Sequence, residues 1–184
     1  RDAGIAASGE ATPHHLVLTD DAVRSLDPNV KMNPPLRAEQ DRVALLDAVR
    51  DGTIEAIATD HAPHAAHEKD VPFEAAPFGV TGLETAFASL YTQLVKPGLL
   101  PLETLLERMS AGPARIFGLD RPRVATGARA NLVLLDLDQE WTVGERPFRS
   151  RSGNSWLLGS TLAGAVQLTV AGGKPAFAAR KEYE

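Results

Sequence analysis

Ile-Glu-Ala-Ile-Ala-Thr-Asp-His-Ala-Pro-His, residues 54–64, is the stretch that decides the fold of this 184-residue chain. An apolar run ends at the carboxylate of Asp60 and is followed by the imidazoles of His61 and His64. The pattern predicts a buried strand over 54–59 that carries an acid–base group into a cleft. Chemistry at the C-terminal ends of buried parallel strands is typical of (β/α)8 barrels, and Asp beside His is a ligand set that zinc prefers. The alternative is that Asp60 caps the next segment and the histidines lie on a surface loop.

A helix is predicted directly before this strand. Between residues 39 and 50, apolar side chains recur at positions 43, 46 and 49 with charges on the opposite face, and Gly52 stands where helices commonly end. A helix, a glycine and a strand in this order are the repeating unit of barrels and doubly wound sheets, so the predicted class is α/β. A short strand is also expected at 5–7, with residues 12–15 in a loop.

Downstream of the strand, the pattern changes from loop to helices. Residues 61–80 predict a long loop of the kind that forms lids and binding sites, with Glu68-Lys69 interpreted as a surface pair. Thr81-Gly82-Leu83-Glu84 matches a capping box and predicts the start of a helix. Pro101 predicts the start of another helix, and Gly112-Pro113 predicts its end.

The composition becomes rich in strand and turn residues after about position 118. Residues 132–136 and 141–143 predict two strands, and residues 162–170 predict a third that ends at two glycines. We expect residues 1–118 to belong to the barrel domain and residues 119–184 to form a small β-rich domain, as a sheet or a sandwich.

The bulk composition excludes several classes of function. The formal net charge is −5 and no basic block occurs, so nucleic acid is not an expected partner. No apolar run approaches the roughly 18 residues that a membrane span requires. The chain has no cysteine, so any metal must be held by His and carboxylates. A complete (β/α)8 barrel needs roughly 250 residues, and the chain starts without Met, so we expect a piece of a longer protein.

Four consecutive blocks of the chain form a recognisable pattern, and they read Lys-Met-Asn-Pro-Pro-Leu-Arg at 31–37, Ile-Ala-Thr-Asp-His-Ala-Pro-His at 57–64, Glu-Lys at 68–69, and Ala-Pro-Phe-Gly-Val-Thr-Gly-Leu-Glu-Thr at 76–85. Together they resemble class I dihydroorotase, the zinc amidohydrolase of pyrimidine synthesis. Residues 12–16 and 131–148 fit the same pattern. The resemblance implies the C-terminal part of a metal-dependent (β/α)8 TIM barrel, with a small β-sandwich to which both ends of the parent chain contribute.

The reaction that the resemblance implies is the reversible cyclisation of N-carbamoyl-L-aspartate to L-dihydroorotate, in de novo pyrimidine (UMP) biosynthesis. In that family a hydroxide bound to one or two Zn²⁺ ions attacks the ring carbonyl. Asp60 matches the aspartate that touches the metal and shuttles a proton from the water to the leaving nitrogen. Asn33 and His64 match positions that hold the substrate. Phe78 and Gly79 match a segment whose backbone meets the ring amide.

The resemblance also implies a cytoplasmic homodimer that acts on a small molecule and associates with aspartate transcarbamoylase. His14 and His15 are expected to be structural or to support the site, because adjacent strand residues point to opposite faces and rarely share a metal. The His-x-His-x-Arg block and the other metal ligands of the family are absent from this chain. A catalytic zinc takes about three protein ligands, so we expect these 184 residues alone to be inactive.

Two other interpretations stay open. A related cyclic amidohydrolase, such as a hydantoinase or allantoinase, is a second enzyme hypothesis, although Asn33 and His64 suit a carboxylated substrate better. The third hypothesis is a non-catalytic dihydroorotase-like scaffold of aspartate transcarbamoylase. Such a scaffold is expected to lose site residues, whereas Asp60, Asn33 and His64 are all present.

Overall fold

A short parallel pair of strands organises the first part of the molecule. The computed structural model describes residues 3–121 and 123–180. Strand β1 (Glu10–Ala11) pairs in parallel with β2 (Ala56–Ile57). Helix α1 (Pro13–Val17) follows β1, and α2 (Glu39–Asp51) precedes β2. The predicted helix–glycine–strand unit is confirmed, with Gly52 ending α2 in a left-handed conformation at φ 89°.

The remaining helices are short and interrupted. In chain order they are α3 (Ala66–Lys69), α4 (Ala86–Leu90) with a π-helical turn (Tyr91–Val95), α5 (Leu102–Leu106) with a second π-helical turn (Glu107–Ala111), and α6 (Gly112–Ile116). Two 3-10 turns (Asp20–Ser25 and Pro28–Val30) lie between α1 and α2. Within residues 3–121 and 123–180, no helix has the length and apolar character that a membrane crossing needs.

The core lies between the parallel pair and the helices. Leu16 of α1, Val49 of α2 and Leu90 of α4 are fully buried in one cluster with Ile57 of β2. Burying a side chain of this size contributes about 2 kcal/mol. The cluster therefore fixes where β2 ends, and with it the place of Asp60.

Two expectations for the first twenty residues are wrong. Residues 5–7 form no strand, and the strand is β1 instead. Residues 13–17 form α1, because the Thr12 side chain accepts a hydrogen bond from the His15 N–H and Pro13 occupies the first turn, where its missing donor costs nothing. A helix of five residues is too short to show a periodic apolar pattern, so hydrophobic spacing did not predict it.

The predicted helix end at Gly112-Pro113 is also wrong. Gly112 begins α6, and Pro113 fits because it lies in the first turn of that helix. A β carbon built on Gly112 would lie 2.2 Å from the carbonyl oxygen of Glu55, directly before β2. Glycine is thus required by the close approach of two backbones rather than by a chain reversal.

The predicted capping box at residues 81–84 does not form. The Glu84 carboxylate instead accepts hydrogen bonds from the backbone N–H groups of Arg149 and Ser150, at 3.0 and 2.9 Å, and α4 begins at Ala86. Burial alone would raise the pKa of Glu84, but these bonds and one from the Ser150 hydroxyl outweigh it and hold the pKa below its ordinary value. A long-range interaction has replaced the local one.

The last part of the chain folds as one antiparallel sheet, in the order β3 (Leu132–Thr142), β4 (Thr161–Ala171), β5 (Lys174–Ala178). The strands predicted at 132–136 and 141–143 are a single strand. Its register shifts where the Asp136 carboxylate accepts hydrogen bonds from the N–H groups of Asp138 and Gln139, so an irregularity absorbs the polar residues between the two apolar runs.

The antiparallel sheet and helix α4 pack together in one hydrophobic cluster. Ala88 of α4 packs in one cluster with Val143, Leu157 and Leu162. The described residues contain no second antiparallel sheet. The β-sandwich and the domain limits 1–118 and 119–184 therefore stay predictions.

Candidate functional site

Asp60 lies three residues beyond β2, at the C-terminal end of the strand. Its side chain is exposed, and its φ of 48° is in the left-handed region, which Asp and Asn adopt more readily than other non-glycine residues. This conformation ends the extended run and turns the chain into the loop at 61–64. The segment at Gly82 passes so close that a β carbon there would lie 2.8 Å from the Thr59 carbonyl oxygen. Backbone packing thus holds the residue that precedes the carboxylate.

The loop after Asp60 runs parallel to the segment around Gly79. His61 and Val80 form a parallel bridge, and the Ala62 N–H donates to the Val80 carbonyl at 2.8 Å. Gly79 has a φ of 95°, and a β carbon on it would lie 2.7 Å from that of Ala62. Only glycine combines this conformation with this approach. Two segments that carry predicted site residues are therefore in direct contact.

His64 and Phe78 are hydrogen-bond partners. Nε2 of His64 donates to the Phe78 carbonyl oxygen at 2.9 Å, and Nδ1 lies 3.9 Å from a carboxylate oxygen of Glu68. The His64 side chain is partly buried, whereas Phe78 is exposed. A carbonyl oxygen has two lone pairs, so that of Phe78 keeps capacity to accept from a ligand.

The segment that carries Asn33 is bonded to Gly79. The Gly79 N–H donates to the Lys31 carbonyl at 2.9 Å. Nζ of Lys31 donates to the carbonyl oxygens of residues 74 and 76, at 2.9 and 2.8 Å, and lies 4.8 Å from the centroid of the Phe78 ring. Asn33 itself is exposed, two residues further along. The structure thus brings the segments of all five predicted site residues together at one end of β2.

Lys69, interpreted from the sequence as half of a surface pair, is buried. Its Nζ donates to the carbonyl oxygens of Pro28 and Pro77, at 3.0 and 2.8 Å. Burial lowers the pKa of Lys69, and the negative charge of Asp27 partly offsets this. The ammonium group ties the residue before Phe78 to a distant turn. The local sequence Glu-Lys does not predict that this lysine is buried and bonded to two backbone carbonyls.

His15 reaches the same region from α1. Its Nε2 donates to the Pro34 carbonyl at 2.9 Å, next to Asn33, and its Nδ1 is bonded to the Thr12 hydroxyl at 2.7 Å. His14 is buried, and this burial, together with the neighbouring His15, lowers its pKa to about 3. Nε2 of His14 has no hydrogen-bond partner among the described residues. His15 therefore contacts the Asn33 segment, while His14 is neutral at pH 7.

His61 is bonded to protein groups. Its Nδ1 accepts from the N–H groups of Gly82 and Leu83, at 3.0 and 3.3 Å, so the proton lies on Nε2, which donates to the Ser150 hydroxyl at 3.3 Å. That hydroxyl donates to Glu84 at 2.9 Å. The residue after the predicted acid is thus anchored to a segment that lies 89 positions later in the chain.

A buried asparagine that the sequence patterns did not predict contacts the loop after Asp60. Nδ2 of Asn154 donates to the Ala62 carbonyl at 3.1 Å, and its Oδ1 accepts from the His64 N–H at 3.0 Å. Its local sequence, Ser-Gly-Asn-Ser, resembles an ordinary turn. No local signal therefore distinguished it from a surface residue.

The described residues do not fit a zinc site by themselves. Among residues 3–121 and 123–180, no group of three or more His, Asp or Glu side chains is arranged to hold a metal ion. A catalytic zinc takes about three protein ligands. Asp60 is therefore at most one ligand of several.

Comparison with known proteins identifies the family of this chain and its curated relatives. Residues 11–176 match the family model described as the amidohydrolase family, and the chain belongs to that family. Its curated relatives include dihydroorotases from Bacillus cereus (strain G9842) and Bacillus thuringiensis (strain Al Hakam), each 48% identical over 175 residues, which cover 95% of this chain and 41% of the relative. The predicted resemblance to dihydroorotase is confirmed. The chain spans about two fifths of the length of these relatives.

Solved structures of two hydantoinases share the fold. The L-hydantoinase (dihydropyrimidinase) from Arthrobacter aurescens aligns with a TM-score of 0.84 and 31% identity, over 93% of this chain and 39% of that one. A D-hydantoinase (dihydropyrimidinase) from Thermus sp. aligns with a TM-score of 0.81 and 25% identity, over 96% and 40% of the two chains. These neighbours indicate a TIM-barrel-type amidohydrolase fold, of which the parallel pair and its helices are a part.

Proposed function

We propose that this chain forms part of the active site of a dihydroorotase, which interconverts N-carbamoyl-L-aspartate and L-dihydroorotate in pyrimidine (UMP) biosynthesis. The observation that carries the proposal is the cross-bonding of the Asp60, His64, Phe78-Gly79 and Asn33 segments at the end of β2. The 48% identity to proteins named dihydroorotase supports this substrate. The activity belongs to the complete protein, because this chain spans 41% of those relatives.

Asp60 is the proposed proton carrier. Opening the dihydroorotate ring adds water to a ring carbonyl carbon and breaks its C–N bond. The nitrogen gains one proton of the water, and the new carboxylic acid releases the other to solvent as it ionises to a carboxylate. An ionised carboxylate can take the proton from the attacking water and return it to the leaving nitrogen. Because the Asp60 side chain is exposed at a strand end, a small molecule can reach it.

The other four residues are proposed to bind the substrate. The Asn33 carboxamide offers a donor and an acceptor to a polar ring edge, and the His64 imidazole contacts the substrate carboxylate. The missing side chain of Gly79 lets the ring approach the backbone. The bonds from His64 to Phe78 and from Gly79 to Lys31 support this arrangement, because they give these groups fixed positions before substrate arrives.

A zinc requirement is part of the proposal for the complete protein. Asp60 would supply one ligand and residues outside this chain the others, and bound zinc would act as a Lewis acid on the ring carbonyl. Metal analysis of the purified complete protein tests this. We expect about one or two zinc ions per chain, and an active protein free of metal would contradict the requirement.

Three further proposals rest on the resemblance. They are that the complete protein is cytoplasmic, that it forms a homodimer, and that it associates with aspartate transcarbamoylase. Light scattering of the purified protein, alone and mixed with aspartate transcarbamoylase, tests the last two. A monomer that gains no mass on mixing would refute both.

The test of the main proposal compares two substrates. The complete zinc-loaded protein is assayed for ring opening of dihydroorotate and of a hydantoin, and dihydroorotate should be the preferred substrate. A preference for hydantoin would favour the related cyclic amidohydrolase, a candidate that the similarity to two hydantoinase structures supports. Turnover of neither compound would favour the non-catalytic scaffold.

A further inference from the structure

The side chain of Asn154 forms hydrogen bonds to the loop after Asp60 and to the segment around Gly79. Nδ2 donates to the carbonyl oxygens of Ala62 and Gly79, at 3.1 and 3.4 Å, and Oδ1 accepts from the His64 N–H at 3.0 Å. The residue is 7% exposed. The amide orientation follows from these partners, because the reverse would place an NH₂ against an N–H and an oxygen against two carbonyls.

Two neighbouring contacts hold Asn154 in place. The Ser152 hydroxyl lies 2.9 Å from Oδ1 of Asn154 and also bonds the His64 carbonyl, so its single proton is shared between them. The backbone carbonyl of Asn154 accepts from the N–H and the hydroxyl of Thr81, at 2.9 and 3.0 Å. The Thr81 bonds do not involve the Asn154 side chain. A substitution of Asn154 therefore changes the carboxamide and leaves the backbone bonds to Thr81 in place.

We propose that Asn154 is a positioning residue that sets the spacing between the His64 loop and the Phe78-Gly79 segment, and so shapes the substrate site. Asn154 contacts the main chain of residues at the candidate site, two of which are proposed to touch the substrate. The inference therefore rests on the proposed function. The carboxamide suits this task because it offers donors to two carbonyls and an acceptor to one N–H in a single rigid plane. A carboxylate offers no donor, and a hydroxyl offers a single donor for the two carbonyls.

The test uses the complete protein with Asn154→Asp. The carboxylate keeps the shape and the acceptor but places a charged oxygen against the carbonyls of Ala62 and Gly79, which should drive the loops apart. We expect the KM for dihydroorotate to rise about tenfold while kcat changes less than about threefold. The matched control is Asn131→Asp, because Oδ1 of Asn131 accepts from the Gly172 N–H at 2.7 Å and a carboxylate keeps that bond. The control should leave KM unchanged.

A second variant and a second readout keep the test decisive. Asn154→Ser removes the carboxamide without adding charge and should raise KM in the same direction. A purely structural role would reduce the folded fraction, lower the apparent kcat and leave KM unchanged, and that result would overturn the proposal.

Hydrogen exchange of the Ala62 and Gly79 amides in both Asn154 variants needs no substrate, and exchange should be faster than in the wild type. Unchanged exchange would overturn the inference about Asn154. A wild-type protein inactive on dihydroorotate, with faster exchange in the variants, would count against the proposed substrate alone.

Discussion

The imidazole of His64 and the main-chain carbonyl of Phe78 are hydrogen-bonded at 2.9 Å, although 14 positions separate them in the chain. We propose that both the His64 side chain and the Phe78 backbone contact the substrate, and this bond joins them. A change that releases one end therefore displaces the other. The candidate site behaves as a set of linked segments, and its variants should be interpreted in that way.

His64→Ala should chiefly weaken substrate binding. The substitution removes a substrate contact and releases the Phe78 carbonyl, and a loss of about 1.4 kcal/mol of binding free energy corresponds to about a tenfold rise in KM. Steady-state kinetics of the complete protein measure this. His67→Ala, which changes an exposed histidine three positions further on, is the control. Unchanged KM in His64→Ala would remove His64 from the site.

Asp60→Asn should abolish turnover and leave the fold intact. Asparagine tolerates the left-handed backbone of position 60 as aspartate does, so the change removes the charge without adding strain. Loss of a general acid–base group lowers kcat by about 100-fold or more. Asp70→Asn, at an exposed position in the same loop, is the control for nearby charge loss. Activity near the wild-type level in Asp60→Asn would refute the assignment.

Lys69→Met should loosen the loop that carries Phe78. Methionine keeps much of the length and apolar stem but leaves the carbonyl oxygens of Pro28 and Pro77 without their donor, which should cost about 2 kcal/mol of unfolding free energy. Urea unfolding and limited proteolysis near residue 77 measure the effect. Lys96→Met, which removes the exposed ion pair of Lys96 with Glu140, is the control and should change stability by less than about 1 kcal/mol. Equal effects of the two substitutions would contradict the prediction.

Gly112→Ala should destabilise the protein through β2. A β carbon 2.2 Å from the Glu55 carbonyl oxygen forces the two backbones apart, and overpacking of this kind costs about 2 kcal/mol or more. The expected result is a lower Tm in thermal unfolding. The control is Ser110→Ala, at an exposed position in the π-helical turn before α6, and it should have little effect. A wild-type Tm in Gly112→Ala would show that the backbones are not so close.

His14 should make stability depend on pH in a defined range. Its folded-state pKa of about 3 lies below the ordinary value of 6.5. Between these values the unfolded chain binds a proton at His14 that the folded chain does not. The free energy of unfolding therefore falls as pH falls from 6.5 toward 3, and the effect is absent above about 6.5.

Replacement of His14 by Gln or Phe tests this linkage. Either variant should flatten the dependence of unfolding free energy on pH, by at most about 1.4 kcal/mol per pH unit, the limit for one proton. Urea unfolding at several pH values measures it. If both variants kept the wild-type slope, the linkage to His14 would be wrong.

Sequence patterns predicted the elements that depend on local spacing. The α2 helix, its end at Gly52 and the strand β2 that follows are all present. Two of the predictions that failed concern residues whose partners lie far away in the chain. Glu84 bonds Arg149 and Ser150 instead of capping a helix, and Gly112 packs against Glu55 instead of ending one.

The sequence by itself determined the α/β class and the resemblance to dihydroorotase, because periodic apolar positions, glycine stops and motif order are written along the chain. Only the tertiary structure decided that Lys69 is buried and that Asn154 lies between the loop after Asp60 and the segment around Gly79. The bonds responsible join residues 41 and 92 positions apart. The acceptors in these bonds are backbone carbonyl oxygens, which every residue type has. No pattern of side chains along the sequence therefore predicts such a bond.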